Sequence, residues 1–151
     1  MDTEAVAAML HGDRAEWEAL AAVLEAHPEQ RLHAEGSPSW VSRDVYAHLT
    51  RWIRHSTGDL EARLAGRTLT PLEGTDDEIN ARWQREDSAL SLDEARQRAR
   101  EAFERRIRAI ESVPPGRWDA ALEAVANADG AEHYANHRRY IAVPHKEGGR
   151  P

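Results

Sequence analysis

The 151-residue sequence contains no cysteine. This absence excludes disulfide bonds, a cysteine nucleophile and cysteine metal ligands, so any thiol chemistry would need a thiol from outside the protein. Lysine is nearly absent as well, because only Lys146 among the 20 basic residues is a lysine. The formal net charge is −7, the pI is near 5.6, and acidic residues are interleaved with the arginines. Nucleic acid is therefore excluded as a routine partner, since phosphate binding requires a basic face.

Long hydrophobic runs are also missing, and no stretch is long and apolar enough to span a membrane. The first residues carry acids rather than a basic segment followed by an apolar run, which argues against a secretion signal. We therefore expect a cytoplasmic protein. The length fits one domain, which we place at residues 1–143, followed by a flexible tail at residues 144–151.

Apolar residues recur at helical spacing in most of the chain, and strand patterns are nearly absent. The predicted main helices cover residues 4–26, residues 42–66, a segment from Ser91 to the Pro114-Pro115-Gly116 turn, and a segment within residues 119–143. A shorter helix is predicted at residues 76–86. The pattern predicts an all-α fold, a four-helix bundle with a long connection between helices 2 and 3.

Individual residues refine these helices. Ser42 is predicted to be the N-cap of the second helix, and Ser91 with Glu94 is typical of a capping box. Gly130 is a weak point in the last helix. Asp13 falls on the apolar stripe of the first helix, where it marks either a break or an inward-facing polar group.

Three histidines are the strongest functional signal. His133 and His137 are four residues apart, so on an α-helix they lie on one face. His48 lies in a separate apolar helical stretch. Three neutral imidazoles can hold one divalent metal and leave a coordination position free, as in catalytic sites. The alternative is that each histidine is an ordinary structural residue.

Nearby residues are weaker candidates. Trp52 follows His48 by one turn and Tyr140 follows His137 by nearly one turn, so both could form a pocket wall, although we favour a place in the core. His55 could reach the rim of a site, but a solvated side chain is the preferred interpretation. If carboxylates join the metal ligands, Asp13 and Glu132 are the first candidates. No residue is assigned as catalytic.

The segments WVSRDVYAHLTRW (residues 40–52) and HYANHRRYI (residues 133–141) resemble the DinB/YfiT-like superfamily, and within it the ClbS/DfsB branch. Residues 77–80 and the helix opening with Ser91-Leu92 are also similar, so the likeness covers residues 6–141. The resemblance implies a four-helix bundle, commonly a homodimer, with His48, His133 and His137 around a divalent metal. The superfamily includes thiol-dependent isomerases and transferases and a cyclopropane hydrolase, so fold membership alone does not settle function.

Nitrogen ligands without thiolate suit Zn²⁺, Ni²⁺ or Fe²⁺. We therefore hypothesise a metal-dependent enzyme that acts on a small electrophilic substrate. It would activate water as a hydrolase or a low-molecular-weight thiol as a transferase. The preference for Arg, Ala and Gly over Lys is typical of a GC-rich genome, for which a mycothiol-like or bacillithiol-like co-substrate is conceivable. The alternatives are a non-enzymatic stress-response or small-molecule sequestration protein and a purely structural metal.

Overall fold

A computed structural model describes residues 1–31 and 40–141 of the chain. Within these residues there are six α-helices, one 3₁₀ turn and no strand: α1 (Thr3–Ala26), α2 (Ser42–Leu64), α3 (Asp76–Glu86), α4 (Leu92–Glu111), the 3₁₀ turn (Pro115–Arg117), α5 (Ala120–Ala128) and α6 (Ala131–Ile141). The expected tail at residues 144–151 lies outside the described residues. None of the described helices is long and apolar enough to cross a membrane.

The bundle is formed by α1, α2, α4 and the α5–α6 pair. Helix α2 packs on α4 and α5, and α1 packs on α6. The long connection between α2 and α4 carries α3, which packs on α2. The predicted all-helical bundle is therefore confirmed. Helices α2 and α6 approach each other at the histidine rings described below.

The ends of the helices follow the sequence at Ser91 and near Gly66, where the second helix was predicted to end. Ser91 and Glu94 form the expected capping box, because the Ser91 hydroxyl accepts from the Glu94 amide at 3.1 Å and the Glu94 carboxylate accepts from the Ser91 amide at 2.8 Å. Helix α2 ends at Leu64, and Gly66 follows with a φ of 70°, the left-handed conformation that favours glycine after a helix.

The predicted N-cap at Ser42 is wrong. The N-cap of α2 is Val41, and Ser42 is the first helical residue. The buried Ser42 hydroxyl donates to the carbonyl oxygen of Leu24 at 2.7 Å instead. This bond links the start of α2 to the end of α1. Rules for helix caps consider only neighbouring residues, so they do not predict a partner 18 positions away in the sequence.

The core beneath α6 is aromatic. Trp17 of α1 stacks on Phe103 of α4 with ring centroids 4.5 Å apart and planes 7° apart. Tyr134 of α6 meets the Trp17 ring edge-on at 5.4 Å, and it is fully buried. Edge-to-face contacts of this kind fix the orientation of the rings, so α6 is held on α1 and α4 with a defined face toward α2.

The sequence allowed two interpretations of Asp13, a break in the first helix or a polar group that faces inward. The structure confirms the second, because α1 is unbroken at Asp13 and this residue is buried. Its carboxylate accepts from the Arg106 guanidinium at 2.9 Å, and both side chains are 2% exposed. The other Asp13 oxygen accepts from the Ala131 amide, the first residue of α6, at 2.8 Å. A residue of α1 thus supplies the N-terminal hydrogen-bond acceptor of α6.

The weak point predicted at Gly130 is where α5 and α6 separate. A Cβ atom at Gly130 would lie 2.7 Å from Arg106 Nη2 and 2.7 Å from Asp13 Oδ1. Close packing against the ion pair therefore requires glycine here.

We expect Gly130→Ala to lower the free energy of unfolding by about 1–3 kcal/mol, the usual cost of overpacking a well-packed site. Urea unfolding followed by circular dichroism measures the change. Gly116→Ala is the matched control, because nothing lies within 4 Å of a Cβ at that position. Equal stability of the two variants would show that the Asp13 and Arg106 side chains can move enough to accommodate the added methyl group.

Candidate metal centre

The three predicted histidines meet at one point. His48 comes from α2, and His133 and His137 come from α6. One ring nitrogen from each lies within 4.8 Å of the other two. The Nε2 atoms of His133 and His137 are 2.9 Å apart, so both can reach one ion at about 2.0–2.1 Å. The i, i+4 spacing and the packing of α6 against the rest of the bundle together produce this convergence.

Asp129 orients one of these rings. Its Oδ1 atom is 3.0 Å from His133 Nδ1, and the residue is buried. Burial raises the pKa of the Asp129 carboxyl, but the hydrogen bond with His133, helped by Ser56 and Arg106, outweighs it and leaves this pKa below its usual value. The ionised carboxylate accepts from Nδ1–H, so the lone pair of His133 is on Nε2 and faces the other histidines.

Sequence reasoning missed this carboxylate and named two others. Asp13 is bound to Arg106 and Ala131, and Glu132 is an exposed residue of the cavity wall described below. Neither belongs to the histidine cluster among the described residues. The sequence signal that could have identified Asp129 is its distance from the histidine pair. Asp129 precedes His133 by four positions, just as His133 precedes His137.

Tryptophan rings flank the cluster. Trp40 is buried and its ring lies 4.8 Å from the His48 ring, centroid to centroid. Trp52, one turn after His48, donates from its indole nitrogen to the side-chain oxygen of Asn80 on α3 at 2.7 Å. This bond fixes the Trp52 ring and gives α3 a role at the site.

The cluster opens into a cavity of about 890 Å³, within the size range of small-molecule sites. Residues of α2, α3, α5 and α6 line it, together with Trp40. Trp52 and Tyr140 both belong to the wall, and Tyr140 is 57% exposed, so the preferred place of Tyr140 in the core is wrong. His55 also lines the cavity, at the position where the sequence allowed a rim residue.

The arrangement has the features of an open metal site. All donors of the cluster are imidazole nitrogens, which suit borderline transition metals such as Zn²⁺ and Ni²⁺. One of them has a carboxylate partner on its other nitrogen, as metal-binding histidines usually do. Because all three histidines line the cavity, a small molecule has access to the point where they converge.

Comparisons with known proteins agree with this fold. Residues 13–140 match the model of the mycothiol maleylpyruvate isomerase N-terminal domain. An uncharacterised protein from Escherichia coli UTI89 has a similar structure, with a TM-score of 0.74, 14% sequence identity and 90% of each chain covered. Among curated proteins, none matches the sequence significantly. The chain belongs to the mycothiol maleylpyruvate isomerase N-terminal domain family, and thereby to the DinB/YfiT-like superfamily that its histidine segments resemble.

Proposed function

We propose that the protein is a metal-dependent enzyme that joins a low-molecular-weight thiol to a small electrophile, or isomerises the electrophile with the help of that thiol. The observation that carries the proposal is the convergence of three histidine nitrogens on the wall of an 890 Å³ cavity. His48, His133 and His137 would hold a divalent ion. When bound, such an ion lowers the pKa of a coordinated thiol or water toward neutrality.

The choice of a thiol over water rests on the matched family, and the absence of cysteine permits this choice without selecting it. The chain has no cysteine, so a thiol in the site must come from a second small molecule. The name of the matched family contains mycothiol, a thiol of the class suggested by the composition. The cavity is large enough for two small reactants, because ligand sites of about 300–1,000 Å³ take whole drug-sized molecules.

The chain's own side chains hold and orient the reactants. Ser56 is the only hydroxyl of a serine or threonine among the described residues of the wall, and its Oγ donates to the carbonyl oxygen of Ile53 at 3.3 Å. A serine needs an adjacent general base to act as a nucleophile, and the carboxylate beside Ser56, that of Asp129, is already bound to His133. The wall therefore supplies shape and positioning, and the nucleophile comes with the second substrate.

Asp129 should tune the affinity for metal. We expect Asp129→Asn to weaken Zn²⁺ or Ni²⁺ binding about 10–100-fold, the usual effect of losing the carboxylate partner of a metal-binding histidine. Isothermal titration of the untagged full chain measures the change. Asp59→Asn is the matched control, because Asp59 lines the same cavity but pairs with Arg63 rather than with a histidine. Unchanged affinity of Asp129→Asn would remove Asp129 from the site.

A thiol-consumption assay tests the reaction. The full chain, loaded with Zn²⁺ or Ni²⁺, is mixed with mycothiol or glutathione and with an epoxide, an enone or an aryl halide, and both the electrophile and the remaining thiol are measured. We expect turnover of the electrophile that requires metal and added thiol, with loss of thiol in a transfer and no net loss in an isomerisation. This turnover should disappear in His48→Ala and persist in His11→Ala, an exposed change on α1. Turnover when no thiol is added would make the protein a hydrolase. Tight binding of electrophiles without turnover by the metal-loaded protein would favour sequestration.

The homodimer and the cytoplasmic location stay predictions.

A further inference from the structure

The charge of the cavity wall is strongly one-sided. Among the described residues that line it there is no arginine and no lysine, although the sequence has 20 basic residues. Five carboxylates lie in the same wall: Asp59, Asp76, Asp77, Asp129 and Glu132. An ion of charge +2 held by neutral histidines would not cancel them. A cleft lined by one sign of charge concentrates small molecules of the opposite sign.

Three of these carboxylates are available to a ligand. Asp59 pairs with Arg63, and Asp129 pairs with His133. Asp76, Asp77 and Glu132 are in none of the ion pairs among the described residues. Asp76 and Asp77 open α3, and Glu132 is in the first turn of α6, positions at which the helix dipole favours acidic side chains. No basic side chain of the described wall offsets these three acids.

Aromatic rings provide a second and independent feature. Trp40, Trp52 and Tyr140 line the cavity, and the Trp52 ring is fixed by Asn80. The faces of tryptophan and tyrosine rings attract ammonium groups, and cages of such rings are used to bind quaternary ammonium ligands. Carboxylates and aromatic faces in one cavity have the same ligand preference, although they act by different interactions.

We propose that this cavity selects a substrate that carries a positive charge, such as a protonated amine or a quaternary ammonium group, and disfavours carboxylates. The inference rests on the proposed function only in taking the cavity as the substrate site. The inference argues against maleylpyruvate, the compound in the family name, as the substrate of this chain. Maleylpyruvate is a dicarboxylate, and it would meet five carboxylates and no basic side chain in the described wall. The electrophilic substrate of this enzyme is thus cationic.

The test compares three probes of similar size that differ in charge: benzyltrimethylammonium, benzyl alcohol and benzenesulfonate. A quaternary ammonium cannot ligate a metal and a sulfonate does so weakly, so the comparison reports the charge of the wall. Binding is followed by the fluorescence of the untagged full chain, because Trp40 and Trp52 line the cavity. We expect saturable binding of the ammonium probe, at least about tenfold tighter than that of the sulfonate, and weakened by salt.

Two variants locate the effect. Asp76→Asn combined with Asp77→Asn and Glu132→Gln should weaken the ammonium probe about five- to tenfold. The matched control also removes three acidic charges, by Glu18→Gln, Glu29→Gln and Glu111→Gln, all exposed and outside the cavity wall, and should leave the affinity unchanged. Circular dichroism of both variants confirms that they are folded. Preference for the sulfonate, or an equal loss in both variants, would overturn the proposal.

The metal measurement keeps the two proposals apart. Each probe is titrated with and without Zn²⁺. If no metal binds but the ammonium preference persists, the proposed metal chemistry fails and the charge selection stands. If metal binds at the histidines but the sulfonate binds better, the cavity remains a metal site and the cationic substrate is wrong.

Discussion

Untagged His48→Ala protein is expected to lose its bound metal while keeping its helices. The wild-type chain, purified and dialysed against Zn²⁺ or Ni²⁺, should retain about one ion per chain, and the variant should retain almost none, because two imidazoles hold such ions much more weakly than three. Inductively coupled plasma mass spectrometry measures the metal. Circular dichroism should show unchanged helicity, since the bundle buries an extensive apolar core without it.

His55→Ala is the matched control for this experiment. His55 lies on the same helix and lines the same cavity, but it is not part of the histidine cluster. It should retain metal at the wild-type level. Equal retention in the wild type and His48→Ala would place the ion elsewhere, whereas loss of helicity in His48→Ala would mean that His48 supports the fold rather than the site.

Asp13→Ala is expected to destabilise the protein by about 3–5 kcal/mol, the usual cost of removing one partner of a buried ion pair. The substitution leaves the Arg106 guanidinium buried without its carboxylate and removes the acceptor of the Ala131 amide. Guanidinium unfolding followed by circular dichroism measures the loss. The combination of Asp13→Leu with Arg106→Met should recover much of the stability, because neither charge then remains buried alone.

The control for this prediction is Glu16→Ala on the same helix. Glu16 pairs with Arg138 of α6 at 2.8 Å, but these side chains are 31% and 39% exposed. Solvent-exposed pairs contribute at most about 1 kcal/mol, so Glu16→Ala should have a small effect. If Asp13→Ala were no more destabilising than Glu16→Ala, water must reach the buried pair.

The sequence was informative where local periodicity decides the structure. The four main helices, the short α3 and the capping box at Ser91 depend on residues within one or two turns, and their predicted positions agree closely with the structure. The His133–His137 pair is local in the same sense. The position of His48 opposite this pair followed from the family resemblance, which carries long-range information that periodicity lacks.

What the sequence did not reveal depends on distant partners. The Ser42 hydroxyl donates to the carbonyl oxygen of Leu24 instead of capping α2. The place of Trp40 against His48 required the packed bundle. The one-sided charge of the cavity could not be read from a chain in which acids and arginines alternate, because only the folding of α2, α3, α5 and α6 decides which of them face inward.

The cap that Asp13 provides for α6 also makes the spacing of His133 and His137 depend on tertiary structure. Asp13 and Ala131 are 118 positions apart in the sequence, and α6 has only 11 residues. Isolated helices shorter than about 12–15 residues are marginal in water, so in an unfolded chain His133 and His137 do not keep the spacing that one ion requires. Tertiary structure must form before the chain can compete for metal. A newly made chain would therefore fold before its histidines could take up the proposed ion, and the folded site would select that ion.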